Sequence, residues 1–158
     1  MLSKTSLKEI NMSDTLLLQV KRIIKADRSE LFDAWTKPEL MQKWYAPGPM
    51  TVTTASSDLR VGGSYRVEMQ EGLETVYVAT GVYKQIIPNE LVSFTWNPRT
   101  TGPGYETLVT VEFKDADGGT ELVLTHEGFA DAETVAKHNE GWNGCLANLA
   151  KATEGVHA

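Results

Sequence analysis

What the 158-residue chain has little of narrows the field first. It has one cysteine, Cys145, so no disulfide can form within it, and a reducing compartment is the expected setting. Lysine and arginine number 15 against 21 acidic residues, and the cations nowhere form a run. A formal charge of −6 without a concentrated basic surface argues against a nucleic acid or an anionic membrane as partner. No stretch approaches the roughly 20 apolar residues of a membrane span. The N-terminal MLSKTSLKEINMSDT lacks the apolar core of a signal peptide. The expected location is therefore cytoplasmic.

What is present suits a globular protein: 41% hydrophobic and 23% charged residues. Residues 1–13 show no period, and Met12-Ser13-Asp14 would serve as an alternative start. They read as an N-terminal appendage to one domain spanning residues 14–158.

From Thr15 to Ala26 the alternation predicts a strand with Leu16, Leu18, Val20 and Ile24 on one face and Arg22 as its oddity. Asp27-Arg28-Ser29-Glu30 resembles a capping box, followed by Leu31, Phe32 and Trp35 at helical spacing. Thr36-Lys37-Pro38-Glu39 opens a second helix with Leu40, Met41 and Trp44, and Ala46-Pro47-Gly48-Pro49 stops it. Six strands follow: 50–58, 64–70, 75–87, 91–96, 107–113 and 121–129, parted by turn residues such as Asp117-Gly118-Gly119. The loop from Asn97 to Gly104 is rich in proline and glycine. A last helix capped by Asp131 runs to about Thr153, with Val135, His138, Trp142, Cys145 and Leu149 recurring at three and four. Strands without crossover helices make an antiparallel sheet. A helix about 35 Å long can hide its apolar stripe only across the hollow of that sheet. The fold class is α+β, a curved sheet of about seven strands around one long helix, with a possible cavity between the two layers.

Several short motifs carry a resemblance. Arg22, Ala26, Phe32, Trp35, Pro38, Leu40, Trp44 and Pro47, then Asp58-Leu59-Arg60-Val61-Gly62-Gly63, then Leu124-Thr125-His126-Glu127-Gly128-Phe129 with Gly141-Trp142 resemble the activator of heat-shock-protein-90 ATPase homologue family. That family belongs to the SRPBCC or START-like superfamily of birch-pollen-allergen-like proteins. The similarity spans about residues 14–153 and implies a helix-grip fold and a place among stress-response proteins. Tyr45 departs from the pattern, since relatives often carry a second tryptophan there. Nothing resembles the separate chaperone-engaging domain of the eukaryotic co-chaperones, so a chaperone partner rests on the resemblance alone.

Chemistry-bearing residues are few. His126 shares the inward face of Leu122 and Leu124. It reads as a hydrogen-bonded structural histidine, a cavity-lining polar group, a catalytic base or a metal ligand, in that order of preference. A His126/His138/Cys145 metal site lacks a spacing motif, so no metal and no cofactor are expected. Cys145, facing a core, is a poor nucleophile. Arg22 reads as half of a structural ion pair, or as a partner of His126 in a cyclase-, dehydratase- or hydrolase-like enzyme. Trp44, Trp96 and Trp142, with Tyr65 and Tyr83, either fill a groove or stack on a flat guest, and Val67, Met69, Val109 and Val111 complete the inward faces. The leading expectation is a binder of a small hydrophobic or aromatic ligand with no catalytic group, its lining drawn from these residues. A chaperone-interaction module and a homodimer through a sheet edge are further possibilities.

Overall fold

The computed structural model describes residues 16–46, 50–72, 75–98 and 106–154. The expected appendage, the Pro47–Pro49 stop and most of the loop after Asn97 lie outside them. Seven strands form one antiparallel sheet: β1 Leu17–Ile24, β2 Thr51–Ser57, β3 Ser64–Glu71, β4 Thr75–Ile87, β5 Leu91–Pro98, β6 Thr107–Ala116 and β7 Gly119–Glu127. Helices α1 (Arg28–Thr36) and α2 (Pro38–Met41) separate β1 from β2, and α3 (Ala132–Glu154) follows β7. The spatial order β1-β7-β6-β5-β4-β3-β2 is a meander whose first strand returns beside its last. The sheet curls as a half-barrel around α3, which is the helix-grip architecture the sequence implies.

Strand alternation sets the inner face. Tyr65, Val67 and Met69 on β3, Val109, Val111 and Phe113 on β6, and Leu122, Leu124 and His126 on β7 are all buried. β1 docks with Leu18 opposite His126 and Val20 opposite Leu124, placing the histidine within an apolar row. Ala116 pairs with Gly119, so Asp117 and Gly118 are a two-residue turn, with Gly118 at φ +80°.

The helix starts differ. At α3 the Asp131 carboxylate accepts from the Thr134 backbone N–H and hydroxyl, each at 2.7 Å, which lowers its pKa. At α1 the expected capping box does not close, because the Asp27 side chain makes no capping hydrogen bond. The end of α3 is fastened instead to the turn after β1, where Lys25 N–H donates to Glu154.

The β4–β5 ladder is interrupted between the pairs Thr80–Asn97 and Tyr83–Phe94. There Val82 N–H donates to the Thr95 hydroxyl rather than to its carbonyl, at 2.8 Å. The Thr95 carbonyl accepts from the Tyr65 phenol at 2.7 Å. To reach it, the Tyr65 ring passes directly over Gly81. A Cβ on Gly81 would lie 1.9 Å from the Thr95 oxygen and 2.8 Å from that ring, so only glycine fits.

Candidate functional site

Beneath the middle of α3 the described aromatic rings between helix and sheet are packed against one another. Trp35 and Trp44 stand 4.4 Å apart, Trp44 and Tyr45 4.5 Å, Trp96 and Trp142 5.0 Å, and Trp35 and Trp142 5.8 Å. Tyr45 and Trp96 are nearly parallel at 6.4 Å. These are separations of rings in mutual contact, which leave no slot for another ring between them. Helix α1 carries Trp35, and the turn after α2 carries Trp44 and Tyr45, into the ring cluster against the sheet, where the Trp44 indole N–H is anchored on the Ala34 carbonyl at 2.9 Å. Trp35 Nε1 is buried with no hydrogen-bond partner. Burial pushes the Tyr45 and Tyr65 phenols well above their usual pKa.

The two histidines are each locked by a tryptophan. Trp142 Nε1 donates to His126 Nδ1 at 3.0 Å, and His126 Nε2 lies 2.6 Å from the Thr107 hydroxyl. An indole nitrogen only donates, so Nδ1 is bare and the ring proton is on Nε2, directed at Thr107. Thr107 spends its own proton on the Trp96 carbonyl at 3.2 Å. His126 is 0% exposed, and burial with the neighbouring His138 pulls its pKa down to about 2. In the second pair Trp96 Nε1 donates to His138 Nε2 at 3.3 Å, and His138 Nδ1 lies 3.0 Å from the Thr134 carbonyl. By the same reasoning that ring is neutral with its proton on Nδ1. His138 is half-buried, and burial lowers its pKa too. The imidazoles are 5.2 Å apart with Phe129 against both.

This arrangement sorts the residues named from the sequence. Val67, Val109 and Val111 are fully buried core, and Tyr65 and Tyr83 are committed to Thr95 and Ser57. Trp142 fastens the core, and Trp44 does so while also edging a small cleft beside the short helices. Cys145 donates to the Tyr45 carbonyl, and burial drives its thiol pKa to about 12. Met69 and Trp96 each retain 8% exposure at the edge of the packed region. Arg22 is a correction. Its register places it with Leu18, Val20 and Ile24, yet it is exposed and belongs to no ion pair among the described residues. β1 is an edge strand, from which a long side chain reaches water even out of an inward position. Arg22 is also four residues along the ladder from Leu18, the partner of His126. That is about 13 Å of strand between the two backbone positions.

On the other flank of α3 the sequence names His138, Gly141 and Cys145 as notable, but Asn148 was passed over. His138, Gly141, Cys145 and Asn148 follow one another at spacings of three and four. Cys145 and Asn148 bond the Tyr45 and Ala46 carbonyls, so this stripe faces the segment leaving α2. Gly141, one turn earlier, is half-buried, and a Cβ added there would meet no atom of the described residues within 4 Å beyond its own helix backbone and chain neighbours. The helix is open at this point, to one side of His138 and Trp142. Thr107 was the other omission, legible as the first member of the inward row Thr107, Val109, Val111, Phe113.

Two clefts are defined elsewhere among the described residues. One, of about 350 Å³, lies on the outer face of the sheet at the β4–β5 interruption, lined by Ser64, Arg66, Thr80, Val82, Thr95 and Glu106. The other, about 150 Å³, lies between the short helices and the end of α3, beside Asp33, Lys43 and Trp44. Neither is in the concave groove. Among the described residues no three His, Cys, Asp or Glu side chains are grouped to hold a metal ion. No helix among them is long and apolar enough to cross a membrane.

The sequence pattern of the Activator of Hsp90 ATPase homolog 1-like protein family matches residues 25–154. The chain belongs to that family. Solved structures agree on the fold of this AHSA1-like protein. A Chromobacterium violaceum protein superposes with a TM-score of 0.82 at 23% identity, over 89% of this chain and 98% of its own. An AHSA1-like protein from Aeromonas hydrophila gives 0.74 at 24% identity, over 90% and 94%. The AHSA1 protein of Silicibacter pomeroyi gives 0.76 at 25% identity, over 85% and 94%. No protein of curated function matches the chain.

Proposed function

We propose that this AHSA1-like protein binds a small apolar or aromatic molecule in a groove beside Gly141, at the N-terminal half of α3. The single observation that carries the reading is the half-buried glycine on the stripe facing Tyr45 and Ala46, with nothing within 4 Å of the position its Cβ would take. A glycine inside a helix costs about 1 kcal/mol against alanine, and no close approach of backbone or side chain demands one here. Trp96 and Tyr45 both contact Trp142, the chain neighbour of Gly141, so flat apolar rings lie within one residue of this position on the helix. An apolar recess with few polar groups suits a ligand held by burial rather than by charge. No described residue is poised as nucleophile or base. His126 has both nitrogens engaged, and the Cys145 thiol stays protonated.

The test is to fill the opening. Gly141→Leu adds an apolar side chain where there is room and improves helix propensity, so the fold is expected to survive or gain stability. Binding of a neutral naphthylamine dye, read by its emission, is expected to weaken at least tenfold in the variant. A wild-type protein that never enhances the dye, or a Gly141→Leu variant that binds it as tightly, would overturn the reading.

A further inference from the structure

We infer that His138 is a proton-operated latch on Trp96, holding the groove's aromatic wall in place at neutral pH and releasing it in acid. The inference rests on the groove reading above for its consequence, but the latch itself stands on the geometry of four groups. Trp96 Nε1 has one hydrogen-bond acceptor among the described residues, His138 Nε2, at 3.3 Å. The other imidazole nitrogen is occupied by the Thr134 carbonyl at 3.0 Å, one helical turn back. A second proton on His138 has only Nε2 to occupy, and there it meets the indole N–H head-on. Two donors at that distance repel, so the contact is replaced by a separation.

The surroundings decide which group moves. His138 touches His126 of β7, Phe129 after β7 and Trp96 of β5, and its own helix supplies the Thr134 carbonyl. His126 is the titratable group against it, and it stays neutral because Trp142 and Thr107 hold both its nitrogens. Neither carboxylates nor further cations contribute to its shift, so burial is its leading cause. His138 is half-buried, on the part of α3 whose other residues are mostly exposed, and an imidazolium gains hydration by turning outward. Trp96 then loses the one acceptor its indole has among the described residues and one of its edge-on neighbours together. His126 has no such freedom at 0% exposure, so the neighbouring histidines differ in kind: one a fixed strut, the other a latch.

His138 is thus a positioning residue acting through Trp96, and a pH profile separates that from a merely structural role. The experiment follows tryptophan emission of the ligand-free, full-length protein from about pH 8 to about pH 4, a span that brackets the ordinary imidazole pKa of about 6.5. Wild type, His138→Gln and Trp96→Phe are compared, with circular dichroism confirming that each stays folded. Glutamine offers an amide oxygen to the indole and does not titrate. The expected result is a one-proton transition below the ordinary histidine midpoint in wild type, absent from both variants. No transition in wild type, or one retained in His138→Gln, overturns the latch. Affinity for the neutral naphthylamine dye is then measured at both ends of the transition. At least a tenfold loss in acid for wild type and no pH dependence for His138→Gln supports the coupling; equal binding at both ends overturns it. A transition without dye binding at either pH supports the latch and sinks the groove reading, so the two failures are distinct.

Discussion

Trp142 Nε1 and His126 Nδ1, 3.0 Å apart, form a bond that fixes the protonation state of the buried histidine. The indole can only donate, so the imidazole must accept there and keep its proton on Nε2 for Thr107. A charged His126 would face an N–H with an N–H, in a site closed to bulk solvent. Burial, and after it the neighbouring His138, pulls its pKa down to about 2. The sign of the pH dependence follows. The unfolded chain takes up a proton near pH 6.5, whereas the folded chain refuses it until about pH 2. This contribution to stability is therefore whole above about 6.5 and is lost as pH falls below it, by up to about 1.4 kcal/mol per pH unit. Urea midpoints are expected to drop steadily from neutral pH toward pH 5. In carbon–proton correlation spectra the His126 ring signals are expected to stay flat over that range with the shifts of the Nε2–H tautomer. A His126 resonance titrating near its ordinary value would contradict the assignment.

Two glycines in regular structure make a paired test of packing. Gly81 has the Thr95 carbonyl and the Tyr65 ring where a side chain would go, whereas Gly141 has open space. Gly81→Ala forces apart the β4–β5 junction and breaks the Tyr65–Thr95 bond, so a loss on the order of 4 kcal/mol or failure to fold is expected. Gly141→Ala adds a methyl in a helix without a clash, so a gain of up to about 1 kcal/mol is expected. Thermal and urea unfolding of the two variants side by side decide it. Equal losses would mean that Gly141 is not open.

The contrast between these glycines also shows how much the sequence alone could tell. Alternation in strands is a local signal, so the inward rows on β3, β6 and β7 and the order of elements were legible from hydrophobic spacing. The Asp131 cap was legible for the same reason, since its partner Thr134 is three residues away. Arg22 was misplaced because alternation assigns a face but not an edge; whether a strand has one neighbour or two depends on a pairing with β7 about a hundred residues later. His126 was correctly marked as a buried polar group, but its role needed Trp142 and Thr107, which arrive from two other elements. Gly141 was visible only as an anomaly. A helical glycine means close approach or open space, and propensity does not distinguish them.

Trp35 and Trp44 make a second paired test, in which ring size is held constant and hydrogen bonding differs. Both are almost fully buried and they touch at 4.4 Å. Trp44 Nε1 is satisfied by the Ala34 carbonyl, whereas Trp35 Nε1 has no partner. Replacing either by phenylalanine removes a similar amount of packed surface. Trp44→Phe also strands a buried carbonyl, while Trp35→Phe removes a donor that was already unpaired. Trp44→Phe is expected to be the more destabilising by about 1–3 kcal/mol. A larger loss for Trp35→Phe in chemical denaturation would show that its N–H has an acceptor in solution.

Cys145 provides a probe of whether the core stays shut. Its thiol donates to the Tyr45 carbonyl from a buried position on α3, and its pKa is pushed up to about 12. Only the thiolate attacks a disulfide reagent, so at about pH 8 the reactive fraction is on the order of one in ten thousand, before access is considered. The aromatic-disulfide reagent that releases a yellow thiolate is expected to react with the native protein only as fast as the molecule opens. It should react at once in denaturant, where the pKa returns to about 8.5. Rapid reaction of the native protein would mean that the segment carrying Tyr45 and Ala46 lifts readily from α3. That outcome would place a mobile wall, rather than a fixed recess, beside Gly141.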